Sequence, residues 1–292
     1  MYELISLSPS VYYIESPAKV GLVKTGEDQV WLIDSGSDKE AGRKIRQHLD
    51  KNGWKLQAIL CTHSNADHIG GCAYLQKQTG CAVYAPGIEA DLTNHPLLEP
   101  SFLYGGYPCK ELRNKFLMAA ACDCRTLSAD VLPEGLELIS LPGHFFDMVG
   151  FRTAEGVVFL ADCLSSRETL EKYRIGFIYD VQRYLDTLEW VKTMEASVFV
   201  PSHAAVCEDI RELAQYNIDV VRDIESVILS LCDVPRSTEQ LLSLLFKHYG
   251  LSMNIQQHVL VGSTVRSYLA WLKDRGELEF FFEDETLLWR RV

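Results

Sequence analysis

Short apolar runs bounded by turn residues open the chain. Val11-Tyr12-Tyr13-Ile14, Val20-Gly21-Leu22-Val23 and Val30-Trp31-Leu32-Ile33 predict strands, the last two joined through Thr25-Gly26-Glu27-Asp28. The period then changes. From Glu40 to Lys51 the pattern is helical, with Ile45 and Leu49 on one face and Gly53 near its end. Ala58-Ile59-Leu60-Cys61 predicts a short buried strand, emptying into Thr62-His63-Ser64-Asn65-Ala66-Asp67-His68, and Gly70-Gly71 opens another helix. After the strand Ala82-Val83-Tyr84, the stretch from Pro86 to about Ser128 loses regular pattern and reads as an insertion over one face. Its aromatic residues Phe102, Tyr104, Tyr107 and Phe116 suit a pocket wall and a small core of their own equally well.

Regularity returns with strands at Leu136-Glu137-Leu138-Ile139 and Val157-Val158-Phe159-Leu160. A helix from about Val181 to Met194 precedes the strand Val198-Phe199-Val200, and a long helix runs from about Asp209 to Leu231. Strands alternating with helices predict a layered α/β architecture. A second unit starts near Val234. Ser237 and Gln240 form a capping box for a helix carrying Leu241, Leu244 and Leu245, and another helix covers Ser263 to Arg275. Two β-prone runs, Leu278 to Phe282 and Thr286 to Trp289, flank Glu283-Asp284-Glu285. The expected organisation is an α/β domain over 1–232, with its insertion at about 86–128, followed by a winged-helix-like domain over 233–292.

Candidate chemistry concentrates where strands are predicted to end. His63, Asn65, Asp67 and His68 follow one strand, His144 ends Leu141-Pro142-Gly143-His144, Asp162 ends Phe159-Leu160-Ala161-Asp162, and His203 ends Val200-Pro201-Ser202-His203. Sites in α/β sheets assemble at such ends. Imidazole nitrogens and carboxylate oxygens are the donors zinc favours, and a hydrolytic centre keeps one position for water.

The order THxxxDH, PGH, AD, SH resembles the metallo-β-lactamase superfamily, an αββα sandwich, over residues from about 1 to 232. The resemblance implies one metal site built on His63 and His144, a second on Asp67, His68 and His203, and Asp162 bridging both ions. It implies hydrolysis by metal-activated water, with Asp67 orienting the nucleophile while it ligates, and it places Asp34 behind the ligands. The departure is Asn65, where the family usually carries its second histidine. An amide oxygen is a poorer donor to zinc than imidazole, so two ions of unequal affinity are expected, the first site weaker. Zinc is the expected metal, and manganese or iron would also suit this donor set.

Composition narrows the partners. Hydrophobic residues are 47% and charged residues 23% of 292, which fits a packed globular chain. No apolar run is long enough to span a bilayer, and the N-terminus lacks a secretory profile, so the expected location is the cytoplasm with no membrane partner. Nine scattered cysteines suit reduced thiols, Cys122 and Cys124 included. A net charge of −12 disfavours RNA as a partner for the surface as a whole and favours a small-molecule substrate. The third helix of the tail offers Arg266, Lys273 and Arg275 to phosphates, but the wing's Glu283, Asp284 and Glu285 would repel them. Three readings follow, in order. The first is a hydrolase of a thioester, lactone or related ester, as in hydroxyacylglutathione-hydrolase-like members. The second is a winged-tail ribonuclease or phosphodiesterase. The third is a nucleic-acid-binding or scaffold protein with a structural metal. The tail could instead cap the groove or form a homodimer contact.

Overall fold

The computed structural model describes residues 2–292. Backbone contacts divide the chain into two compact units. The first comprises residues up to Pro142, Phe146–Leu164 and Glu195–Asp209; the second comprises Gly143–Phe145, Ser165–Met194 and Ile210–Val292. The helices between 165 and 231 are thus grouped with the tail.

In the first unit a seven-stranded sheet runs in chain order: β1 (Glu3–Ser6), β2 (Val11–Glu15), β3 (Val20–Lys24), β4 (Gln29–Ile33), β5 (Lys55–Leu60), β6 (Ala82–Ala85) and β7 (Cys124–Thr126). Pairing is antiparallel from β1 to β4 and parallel from β4 to β7. The change falls where α1 (Lys39–Asn52) first inserts a crossover, since parallel neighbours need a connection long enough to return the chain. Asp38 caps α1 through its side chain, and Gly53 closes it in the left-handed conformation. A second sheet has the order β11-β10-β9-β8, with β8 (Leu136–Ser140), β9 (Val149–Thr153), β10 (Val157–Ser165) and β11 (Val198–His203).

Alternation along the strands builds two cores. Val30 and Leu32 of β4 pack with Ile45 and Leu49 of α1 and with Cys72 and Leu75 of α3 (Cys72–Thr79), on the helical side of the first sheet. Ile33 turns to the other side with Val11, Val23 and Leu60, meeting Phe151, Val157, Phe159 and Val200 of the second sheet. The strands after β4 deliver their C-terminal ends to one edge, where α2 (Ala66–Ile69) follows β5.

Several expectations need correction. The segment from 86 to 128 is not structureless: α4 (Glu89–Asn94), α5 (Leu98–Tyr104) and the edge strand β7 lie within it. Its helices are too short for the 3.6-residue period to emerge from so few turns. Tyr107 and Phe116 are each 69% exposed, so they form no core of their own. Asp162 lies inside the nine-residue strand β10, not at its end; Ala161, at φ +49°, interrupts the extended backbone just before it. The nine cysteines, by contrast, all carry free thiols as expected.

The second unit holds α6 (Arg167–Tyr173), α7 (Val181–Val191), α8 (Arg211–Leu231), α9 (Thr238–His248) and α10 (Ile255–Asp274), then the hairpin of β12 (Leu278–Glu283) and β13 (Thr286–Arg291). The Ser237–Gln240 capping box forms as its sequence predicts. Helix α10 starts well before Ser263 because Asn254 caps it with its side chain. Among the described residues, no helix is long and apolar enough to cross a membrane.

Candidate metal centre

Asp34 organises the centre from behind. It follows β4 at φ +63°, a left-handed conformation that a short polar side chain tolerates better than most, and it is 1% exposed. One carboxylate oxygen accepts from Thr62 N at 2.7 Å; the other accepts from Thr62 Oγ1 at 2.9 Å and from His68 Nδ1 at 2.7 Å. The Thr62 hydroxyl, having donated to Asp34, accepts from His63 Nδ1 at 2.9 Å. His203 Nδ1 donates to the Pro17 carbonyl at 2.8 Å. In the second unit His144 Nδ1 donates to the Phe177 carbonyl at 3.0 Å. Every candidate histidine therefore commits Nδ1 to an oxygen, and in the neutral ring Nε2 becomes the lone-pair nitrogen able to ligate.

The loop bearing these residues is held by close backbone approach. Ser35 Oγ donates to the His68 carbonyl at 2.9 Å and accepts from Gly71 N at 3.1 Å. A Cβ on Gly71 would lie 2.3 Å from the Ser35 carbonyl oxygen, and one on Gly70 would lie 2.3 Å from the Ser37 backbone. Only glycine permits that contact, which explains the pair of glycines after Asp67-His68.

Within the first unit, Asp67, His68 and His203 offer ligand atoms within 4.8 Å of one another. Asp162 spans them: its Oδ1 is 3.1 Å from His68 Nε2 and its Oδ2 is 3.1 Å from His203 Nε2. Asp67 Oδ2 lies 3.2 Å from His203 Nε2 and 3.8 Å from His68 Nε2. The rings of His63 and His68 stand 4.1 Å apart.

The donor set fits a divalent cation. His68 Nε2 is buried and makes no hydrogen bond of acceptable geometry, although two carboxylates approach it. Burial opposes charge on His68, but Asp162, Asp67 and Asp34 outweigh it and hold the ring well above its ordinary value. His203 is likewise pushed up to about 10, its burial overcome mainly by Asp162. Burial would raise Asp67 and Asp162, yet the neighbouring histidine charges hold both carboxylates below their ordinary range. Two carboxylates stabilised by imidazolium protons are a cluster in which a cation can replace those protons.

Two buried acids near this loop carry no sequence signal of function. Glu99 of α5 is 5% exposed and accepts from Asn65 Nδ2 at 2.8 Å. Burial pushes its carboxyl well up, against the pull of that hydrogen bond. Glu89 of α4 accepts from Ser64 N at 3.1 Å, from the Ser64 hydroxyl, and from Asp147 N at 3.0 Å. Burial raises Glu89 to about 7 despite those donors. Both lie in the stretch whose pattern is irregular, where a lone Glu looks like any surface residue.

A two-sheet sandwich with imidazoles and carboxylates gathered at one edge defines a layered α/β protein with a candidate metal centre. The family model described as Metallo-beta-lactamase superfamily matches residues 14–203, and the chain belongs to that superfamily. It is 32% identical over 131 residues to a hydroxyacylglutathione hydrolase from Bradyrhizobium sp., covering 44% of this chain and 41% of that protein. It is 30% identical over 183 residues to a hydroxyacylglutathione hydrolase from Haemophilus ducreyi, covering 61% of this chain and 66% of that one. The chain thus spans about two fifths of the length of the first of these relatives. The crystal structure of a beta-lactamase domain protein from Burkholderia ambifaria is similar in fold, with TM-score 0.77, 17% identity, and coverage of 99% of this chain and 94% of that one.

Proposed function

We propose that this protein is a metal-dependent hydrolase of a small acyl compound, a thioester, lactone or related ester. The observation that carries the reading is the shared commitment of Nδ1 in His63, His68, His144 and His203, which leaves Nε2 as the ligating atom in each. Asp67, His68 and His203 would hold one ion; His63 and His144, with Asn65 as a weaker donor, would hold the other, and Asp162 would bridge. Zinc in that position supplies a Lewis acid and brings the pKa of a water molecule near neutrality. Asp67 would orient the attacking water, because its side chain is 41% exposed and its carboxylate borders the centre, with Oδ2 3.2 Å from His203 Nε2.

The acyl reading is supported by the similarity to two proteins named hydroxyacylglutathione hydrolase. The RNA reading is disfavoured by the tail itself, which we read as winged-helix-like over 233–292. Arg275 pairs with Glu225 at 2.7 Å and with Glu277, and Arg266 lies 3.6 Å from Glu239, so two of the three bases Arg266, Lys273 and Arg275 are already answered by acids. The wing adds Glu283, Asp284 and Glu285.

The test is elemental analysis of purified protein together with a screen of thioester, lactone, phosphodiester and RNA substrates. Zinc-dependent turnover of a thioester or lactone is expected. Turnover confined to RNA or a phosphodiester would replace the acyl reading, and a metal-free protein without activity on any class would remove the hydrolase reading altogether.

A further inference from the structure

Asn65 stands where the resembled family usually carries a histidine, and its surroundings carry a second peculiarity. It occupies the N-cap position of α2, where asparagine ordinarily turns its side-chain oxygen onto an exposed backbone N–H, yet it makes no side-chain cap bond. Its amide nitrogen instead donates to Glu99 Oε1 at 2.8 Å. A carboxylate oxygen has no proton to give, so the end of the amide facing it must be the NH2 group. Even a protonated Glu99 keeps one accepting oxygen for that donation. The amide oxygen of Asn65 is therefore the end turned away from Glu99.

Stability alone gives a poor reason for this arrangement. Glu99 is 5% exposed, and its one hydrogen bond among the described residues is the one from Asn65. Burying a carboxyl costs desolvation that a single hydrogen bond hardly repays, so an apolar side chain of the same length costs the fold little beyond the partner it takes from the Asn65 amide nitrogen. What the apolar side chain would not do is define which end of the Asn65 amide faces which way.

We propose that Glu99 is a positioning residue for Asn65. It holds the amide so that the oxygen, and not the nitrogen, is presented to the metal centre on the side of His63 and Asp162. Asparagine and glutamate together then do the work that one histidine does elsewhere in the family: Asn65 supplies the donor atom, and Glu99 fixes its orientation. The proposal rests on the metal-centre reading given above. It gives Glu99 no contact with substrate.

The test reads metal affinity and needs no turnover. Cobalt or zinc is titrated into metal-free protein, following visible absorption or competition with a chelating dye, and the two binding steps are resolved. Glu99→Met should leave the metal-free melting temperature within a few degrees of wild type and weaken the lower-affinity step roughly tenfold, the scale of outer-shell effects on metal binding. Glu99→Gln restores an accepting oxygen but can present either end of its own amide, so its affinity should fall between wild type and Glu99→Met. Asn65→Ala should weaken the same step by at least as much. Adding Glu99→Met to Asn65→Ala should change nothing further, because the only route of action is gone.

Unchanged affinity in either Glu99 variant overturns the proposal, as does a Glu99 effect that persists undiminished in the Asn65→Ala background. Should Glu99→Met fail to fold, Glu99→Gln and its double variant with Asn65→Ala decide by the same criteria. A wild-type protein that takes up no metal would refute the metal-centre reading itself. Two ions in wild type, bound equally well in the Glu99 variants, would remove only the role assigned to Glu99.

Discussion

Asp34→Asn is the sharpest single probe of the network behind the centre. The substitution keeps the size of the side chain and its tolerance of φ +63°, so backbone strain is not altered. It removes one acceptor from a group that serves three donors: Thr62 N at 2.7 Å, Thr62 Oγ1 at 2.9 Å and His68 Nδ1 at 2.7 Å. Two orientations of the new amide exist, and both are costly. With its oxygen toward His68 and the hydroxyl, the NH2 group faces the buried Thr62 N–H, leaving two donors opposed at about 1–3 kcal/mol. With its oxygen toward Thr62 N, the NH2 group faces His68 Nδ1, which then serves as acceptor and moves the ring proton to Nε2, the atom needed for ligation. The expected outcome is a loss of about 1–3 kcal/mol in the metal-free protein, combined with zinc affinity lowered roughly 10- to 100-fold. Chemical denaturation in the presence of chelator measures the first and dye-competition titration the second. A variant matching wild type in both would refute the idea that Asp34 fixes the His68 tautomer.

Glu89 gives a pH prediction. Its carboxyl is raised from 4.5 to about 7 in the folded chain, so between those values the folded state binds more protons than the unfolded state. Stability should fall as pH rises through that window and level off above it, by at most about 3 kcal/mol; in Glu89→Gln, chelator-treated, the decline should be missing, and an identical pH profile would sink the assignment. Gly71→Ala places a Cβ 2.3 Å from the Ser35 carbonyl and should cost about 3 kcal/mol or abolish soluble expression; an unaltered melting curve would contradict the close approach. Ser237→Ala removes the hydroxyl that accepts from Gln240 N, leaving only the bond from Ser237 N to Gln240 Oε1, and should lower stability by about 1 kcal/mol while leaving metal uptake unchanged, as melting and elemental analysis would show.

The sheets were largely legible because their apolar runs are short, bounded by turns and ordered as the strands are. The ligand candidates were legible for a related reason: side chains such as His63 and His203 sit at or beyond strand ends, where the backbone turns and an isolated polar residue stands out against its apolar run. Asp162 stood out in the same way although it lies within β10, because a positive φ at Ala161 is invisible in a sequence. Helices α4 and α5 escaped notice since six or seven residues hold fewer than two turns of periodicity. Glu89 and Glu99 escaped with them. Nothing local distinguishes a buried glutamate from a solvated one; only the donors that meet it, Ser64, Asp147 and Asn65, do so, and they come from distant parts of the chain. The grouping of α6, α7 and α8 with the tail was equally hidden, because contacts between helices remote in sequence leave no mark on any one of them.

Anomalous X-ray diffraction from crystals of zinc-loaded protein, recorded on either side of the zinc edge, tests the central claim most directly. The expected map has two peaks, one within about 2.0–2.1 Å of Nε2 of His68 and His203 and the other at the same distance from Nε2 of His63, with Asp162 touching both. A map without peaks at these imidazoles, or with zinc bound elsewhere and the three Nε2 atoms pointing apart, would contradict it.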